Sequence, residues 1–280
     1  MLAALVTVVL WASAFVGIRS AGHELSAGPL ALARLAVAAV VLGLVVLFRR
    51  ERLPVRSDLP AIALCGALWF AAYNVLLNAG ERRVDAGTAA MVVNIGPILI
   101  AVLAGKLLKE GFPRPLLVGA AIAFGGTTVI GLATSTGDRS STYGVLLCVL
   151  AAITYAGGVV VQKPLLTRVS ALQVTWLACT VGFLLCLPYA PVLWRELGHA
   201  SGGAIGWAVY LGALPTAVAF TTWAYALAHT TAGRMGTTTY LVPPLVILLS
   251  WLLLGESPPI LALAGGVLCL VGVAVTRRRR

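Results

Sequence analysis

Ten apolar stretches, each near twenty residues, follow one another along the chain with only short polar breaks between them. They fall near 2–20, 28–48, 59–80, 84–105, 115–133, 143–162, 170–190, 204–228, 231–254 and 259–276. A helix needs about 20 apolar residues to cross the hydrocarbon core of a bilayer. The pattern therefore predicts an all-α membrane protein with ten transmembrane helices. Only 49–58, 134–142 and 191–203 are long enough to be true loops, and none holds a soluble domain. The apolar opening at 2–18 lacks the positive segment that precedes a cleavable leader, so it reads as the first span.

The stretches are not independent of one another. Shifted by 146 residues, positions 84–126 lie on 230–272 without a gap, and twelve of the 43 pairs are identical. Ala86-Gly87 meets Ala232-Gly233, Pro97 meets Pro243, Glu110 meets Glu256, and Pro113 meets Pro259. Gly119 meets Gly265 and Gly126 meets Gly272. The pattern predicts a five-helix repeat at 1–134, a second at 142–276, and a basic cytoplasmic tail at 277–280, with the seam near Thr134 to Asp138. An odd number of spans per copy makes the second copy enter the membrane upside down, so the repeats are inverted. Inverted repeats recur among secondary transporters, which bind substrate between the repeats near the bilayer midplane.

Composition agrees with a membrane protein. Hydrophobic residues make up 60% of the chain and charged residues 10%, against about 25% charged in a soluble domain. The net charge of +11 invites a nucleic-acid partner, but its distribution argues against one. With the N-terminus inside, fourteen Lys and Arg fall on the inner side, five on the outer side, and Arg34 within a span. That asymmetry follows the positive-inside rule. It predicts a multi-pass protein of the plasma (inner) membrane with both termini cytoplasmic, and it makes the Arg277 to Arg280 run a topology anchor. Cys65, Cys148, Cys179, Cys186 and Cys269 all lie in apolar stretches and form no CxxC pair or metal spacing. No metal and no cofactor is expected.

The segments YALAHTTAG, LVPPLVILLSWLLLGES and LALAGGVLCLVGVAV, between Trp223 and Val275, resemble the end of a drug/metabolite transporter of the EamA-like type. VDAGTAAMVVNIGPILIAVLAGKLLKE in the first half, the opening LWASAFVGIRSAG and the span-two ARLAVAAV resemble the same family. The resemblance implies a ten-helix basket in which helices 1–4 and 6–9 surround a central cavity and helices 5 and 10 are peripheral. It also implies transport of small metabolites without ATP hydrolysis, by alternating access, with export favoured. The doubled Pro243-Pro244, the Thr237 to Thr239 run, and Ser257-Pro258-Pro259 in place of Gly111-Phe112-Pro113 depart from a perfect repeat.

Candidate chemistry follows from polar and aromatic residues at midspan depth. Pro97 and Pro243 fall midway along spans four and nine. A proline inside a helix removes one hydrogen bond and clashes with the carbonyl four residues back, here Val93 and Thr239. The pair predicts hinges or a cavity, or else static kinks. Trp69, Tyr73 and Asn74 share span three, Asn94 lies three residues before Pro97, and Tyr240 three before Pro243. Tyr155 in span six, Trp223 in span eight and Trp11 in span one complete the candidate substrate-lining set. Each could instead make an ordinary interhelical contact. Arg34 is a possible gate at the outer mouth, or a partner of Glu24, Glu81 or Asp85. His229 reads as interfacial, with a proton site as the alternative. Glu110 and Glu256 are expected to cap spans five and ten. The glycines at 119, 125, 126, 265, 266 and 272 are expected to pack helices closely, or to form a homodimer seam.

The functional expectation is a carrier that exports amino acids or similar amphipathic compounds. Its partners are a small-molecule substrate and membrane lipid, and it is a monomer or homodimer. The alternative is an intramembrane lipid-handling enzyme or scramblase. No HExxH, paired midspan Asp, nucleophilic serine motif or P-loop supports an enzyme.

Overall fold

The computed structural model describes residues 2–51, 53–84, 89, 92–134, 142–254 and 259–276. Asp85, Glu256, Ser257-Pro258 and the Arg277 to Arg280 tail lie outside them. In chain order the helices are α1 (Leu2–Ala21), α2 (Ala27–Arg49), α3 (Leu59–Cys65), α4 (Tyr73–Glu81), α5 (Gly96–Leu107), α6 (Arg114–Thr134) and α7 (Thr142–Leu165). They continue with α8 (Ala171–Cys186), α9 (Ala190–Leu197), α10 (Gly202–Leu211), α11 (Ala219–Ala228), α12 (Ala232–Thr237), α13 (Val242–Leu254) and α14 (Ile260–Thr276). Two joints are π-helical, Gly66–Ala72 between α3 and α4 and Gly212–Val218 between α10 and α11.

Among the described residues, six runs are long and apolar enough to cross a membrane: Ala27–Arg49, Arg56–Gly80, Arg114–Ala133, Thr142–Leu165, Ala171–Leu197 and Gly202–Ala228. Leu2–Ile18, Gly96–Leu107 and Ile260–Thr276 are shorter apolar helices. Their outer faces are greasy. On α14, Leu263, Val267 and Leu270 are exposed while Gly265, Cys269 and Gly272 are buried. Such a stripe is a liability in water and is what lipid requires.

The midspan prolines lie where α-helical bonding is interrupted. Asn94 and Ile95 form a turn, α5 starts at Gly96, and Pro97 sits in its first helical turn, where a missing N–H costs little. In the second copy a 3-10 turn, Thr238–Leu241, separates α12 from α13, and Pro243 is the second residue of α13. The expected kinks are therefore helix breaks at equivalent places, 94–95 and 240–241. The threonine run helps close the second break. The hydroxyls of Thr237, Thr238 and Thr239 donate to the carbonyls of Arg234, Met235 and Gly236 at 2.9, 2.6 and 2.8 Å.

The chain divides into two compact units, each drawing on both ends of the sequence. The first comprises Met1–Val75 and Val161–His229. Its centre is α2 against α8, with the Trp176 ring lying over Gly43 and the Cys179 thiol donating to the Leu35 carbonyl at 3.6 Å. The two π segments lean on this pair in matching fashion. A Cβ at Gly66 would lie 2.5 Å from the Ala178 carbonyl, and one at Gly212 would lie 2.7 Å from the Arg34 carbonyl. Only glycine permits such an approach.

The second unit comprises Leu76–Val160 and Thr230–Arg280. Here α6 and α14 run antiparallel along a seam of small residues. A Cβ on Gly119 would meet the Gly272 carbonyl at 2.5 Å, and one on Gly126 the Gly265 carbonyl at 2.6 Å. At the middle of the seam, the Cys269 thiol donates to the Ala123 carbonyl at 3.5 Å. Residues 123 and 269 are themselves 146 apart, so the repeat shift maps this seam onto itself. The same unit corrects the expected role of Glu110. Its carboxylate accepts from the backbone N–H groups of Ala232 (2.7 Å) and Gly233 (3.2 Å), capping α12 rather than the start of span five. Lys109 and Gly111 have φ of 56° and 70°, and these left-handed turns redirect the chain on either side of the carboxylate.

Candidate functional site

In the first unit, the two π segments bring the aromatic side chains together. An i→i+5 register inserts one extra residue into a helix, and π segments recur at functional sites. Gly66–Ala72 carries Trp69 and Phe70, while Gly212–Val218 is followed directly by Phe220 and Trp223 on α11. Trp11 enters from α1. Its helix is held beside α10 and α11 by Thr7 Oγ1, 2.8 Å from Thr222 Oγ1 and 3.2 Å from the Ala219 carbonyl, and by Ser13 Oγ, 2.7 Å from the Tyr210 hydroxyl.

The five rings form one cluster. Trp11 stacks on Trp223 with centroids 5.0 Å apart and planes 29° apart. Trp69 meets both edge-on, at 6.3 Å from Trp11 and 5.6 Å from Trp223. Phe220 lies 5.2 Å from Trp11, 5.0 Å from Trp69 and 4.7 Å from Phe70. Trp69, Phe70, Phe220 and Trp223 are buried, whereas Trp11 is half-buried. The Trp11 Nε1 atom is itself buried and has no hydrogen-bond acceptor among the described residues. Chemically the cluster offers π faces, which attract ammonium groups and stack on rings, together with the Trp11 N–H, which is unpaired among the described residues.

Polar groups around the cluster serve the backbone. Asn74 is buried, and its amide donates to the carbonyls of Phe70 (2.8 Å) and Trp69 (3.4 Å) in the π segment. Tyr73, half-buried, precedes it. In the other π segment Pro215 has no N–H for the Leu211 carbonyl. The Thr216 hydroxyl donates to that carbonyl at 2.8 Å and accepts from Arg34 Nε at 3.0 Å. Arg34, 6% exposed, is thus tied to the π segment of span eight.

The remaining candidates lie in the second unit. The Tyr155 ring rests on Gly96 beside the span-four break, where a Cβ would come within 2.6 Å of it. Asn94 forms part of that break. Tyr240 is fully buried in a cluster with Ala123 and Val273, flanked by Phe124 and Leu241, and its hydroxyl has no partner among the described residues. The sequence-derived set therefore divides. Trp11, Trp69, Tyr73, Asn74 and Trp223 belong to the first unit, and Asn94, Tyr155 and Tyr240 to the second, with Pro97 and Pro243. His229 is exposed at the end of α11, its Nδ1 2.7 Å from the Tyr225 carbonyl.

One end of the first unit carries a crossed brace. Ser26 and Ser201 are the N-cap residues of α2 and α10. Glu196 accepts from the Ser26 N–H at 2.9 Å, and Glu24 accepts from the Ser201 N–H and hydroxyl at 2.5 and 2.7 Å. The backbone and hydroxyl bonds from Ser201 hold the Glu24 carboxyl below the usual carboxylate range. A cavity of about 460 Å³ opens beside the brace, lined by Glu24, Val192, Arg195, Glu196, His199 and Ala200.

Sequence reasoning missed Phe70, Phe220, Pro215, Thr216 and Gln162. A signal existed for the π segments: Gly-Ala-Leu occurs at 66–68 and again at 212–214, at the same shift of 146. Gln162 is fully buried on α7 with neither amide atom paired among the described residues, and nothing in its Val-Val-Val-Gln context announces it.

A family model described as the EamA-like transporter family matches residues 1–132 and again 142–278. The chain belongs to the EamA-like transporter family. Among curated proteins, this EamA-like chain is 38% identical over 277 residues to a protein of Streptantibioticus cattleyicolor named "Probable terminal-alkyne amino-acid exporter", covering 99% of this chain and 93% of that one. It is 36% identical to an uncharacterized transporter of Bacillus subtilis, covering 95% and 87%. It is 25% identical to a Salmonella typhimurium protein named "Probable amino-acid metabolite efflux pump", covering 97% and 92%. A solved crystal structure matches with a TM-score of 0.82 at 20% identity, covering 99% of this chain and 95% of its own, and so shares the fold. EamA-like membership makes the chain an integral membrane protein of the transporter type, with an all-α fold.

Proposed function

We propose that the protein is a secondary transporter, independent of ATP, that exports amino acids or similar amphipathic metabolites by alternating access. The cluster of Trp11, Trp69 and Trp223 with Phe70 and Phe220 carries this reading, because it joins π faces to the Trp11 N–H, unpaired among the described residues. A compound with an ammonium or apolar ring at one end and a carboxylate at the other satisfies both. The rings touch one another and Trp11 Nε1 is buried, so the substrate approaches at half-buried Trp11 and reaches its N–H as that side chain turns. The names of two relatives, an amino-acid exporter and an amino-acid metabolite efflux pump, point the same way.

The proposed architecture is ten spans in two inverted five-helix repeats, 1–134 and 142–276, in the inner membrane with both termini cytoplasmic. Its support is the pair of family matches, the antiparallel seam that the 146 shift maps onto itself, and the two π segments at the same shift. In this orientation the brace at Ser26 and Ser201 faces outward. Pro97 and Pro243 act as hinges at the two helix breaks, with Asn94 and Tyr155 beside the first. No chemical conversion takes place.

Counterflow of radiolabelled amino acids in proteoliposomes tests the reading. Accumulation of unmodified substrate supports it. Product formation, or lipid scrambling without amino-acid flux, overturns it. Trp11→Phe keeps a ring and removes the donor. A hydrogen bond to a charged group contributes about 1.5–3 kcal/mol, so KM for a carboxylate substrate is expected to rise about tenfold or more, with little change for its amide derivative.

A further inference from the structure

The two π segments sit at residues 66–72 and 212–218, the same positions of the repeat once the 146 shift is applied. Both feed one aromatic cluster: the first contains Trp69 and Phe70, and the second immediately precedes Phe220 and Trp223. Register is decisive for the second. One extra residue turns everything downstream by about 100° and moves it about 1.5 Å along the axis. If Gly212–Val218 relaxed to an ordinary α-helix, Phe220 and Trp223 would rotate out of contact with Trp11 and Trp69.

The bonds that close the two segments differ. Gly66–Ala72 is closed from its own helix by Asn74. Gly212–Val218 is tied to another helix. Pro215 cannot give the Leu211 carbonyl an i→i+4 bond, the Thr216 hydroxyl donates to that carbonyl, and Arg34 Nε on α2 donates to that same hydroxyl oxygen. Because Thr216 spends its single proton on Leu211, its oxygen is left as an acceptor, and Arg34 fills it. Gly212, pressed on the Arg34 carbonyl, fixes the same segment to the same residue from the backbone side.

We infer that Arg34 is a positioning residue: acting through Thr216, it holds the span-eight segment in its π register and thereby sets Phe220 and Trp223 in the ring cluster. Its consequence for substrate rests on the transport reading above, whereas its structural effect does not. The guanidinium acts on the rings through the segment that carries them.

The readout is the exciton-coupled circular dichroism of the stacked Trp11–Trp223 pair, assigned by its disappearance in Trp223→Phe and recorded on full-length protein without substrate. Thr216→Val removes the hydroxyl at nearly constant volume. Arg34→Lys keeps the charge but puts a methylene where Nε stands. Each is expected to lose more than half of the couplet while eluting as a single wild-type-like species with unchanged helix content. Thr216→Ser, which restores the hydroxyl, is expected to retain it. In counterflow with phenylalanine as the probe, Thr216→Val is expected to raise KM at least fivefold, with Thr216→Ser near wild type.

An unchanged couplet in Thr216→Val, or equal loss in Thr216→Ser, overturns the inference. So does failure of both Thr216→Val and Arg34→Lys to yield monodisperse protein, since that assigns the pair to folding of the whole unit rather than to register. Absence of phenylalanine flux in wild-type protein counts against the transport reading alone and leaves the couplet result standing.

Discussion

Single residues in this chain are best judged by what their polar atoms meet. Tyr240 looks like a cavity residue in the sequence, three positions before a midspan proline, yet it is buried in a cluster with Ala123 and Val273, and its hydroxyl has no partner among the described residues. An unpaired buried hydroxyl costs about 1–3 kcal/mol. Tyr240→Phe is therefore expected to leave the apparent Tm unchanged or raise it, and a drop of several degrees in a thermal-shift assay would contradict this. Glu110 shows the opposite case. Two backbone donors at the start of α12 depend on its carboxylate, so Glu110→Ala is expected to cost about 1–3 kcal/mol, read as a lowered Tm. The sequence marks Glu110 as a cap but assigns it to span five, whereas it caps α12. Capping by a residue 122 positions away leaves no local spacing to read, whereas Ser170 and Thr231, which cap the helices they precede, are the kind of signal that sequence does carry. Gln162 is equally silent, because one amide in an apolar run reads the same whether it is paired or orphaned.

Helices as units are legible where composition alone decides them. The apolar stretches predicted at 28–48, 115–133 and 143–162 match α2, α6 and α7 to within about three residues. Of the six glycines in spans five and ten that the sequence marks for tight packing, four achieve it within the fold. That division can be tested. Gly126→Leu forces a side chain into the Gly265 and Cys269 backbone, and overpacking of this kind costs about 1–3 kcal/mol or more. A Cβ placed on Gly125 would meet nothing within 4 Å, so Gly125→Ala is expected to change stability by no more than about 1 kcal/mol, and favourably. Matched thermal melts of the two variants decide the point. The π segments are not legible in the same way. Hydropathy averages over a turn, and the choice between i→i+4 and i→i+5 bonding does not alter it. Packing on Ala178 and Arg34 makes that choice, together with Pro215 in one copy. The prolines at 97 and 243 announce interruptions, but sequence does not tell a bent rod from two helices end to end.

At the scale of the whole molecule, the duplicated pattern is visible in sequence, but the way its copies interleave is not. The repeats follow one another in sequence order, and the contacts assemble Met1–Val75 with Val161–His229, and Leu76–Val160 with Thr230–Arg280. Neither unit is complete within residues 1–134 or within residues 142–280. The ribosome therefore releases the first 134 residues before any of their partners from the second copy exist, and the early spans must wait in the bilayer for the later ones to be made. Severing the polypeptide between Thr134 and Thr142 should then give two fragments that are degraded when synthesised separately. Produced in the same cell, they should complement each other and co-purify through one affinity tag. Stable accumulation of either fragment alone would show that a bundle can close before translation ends.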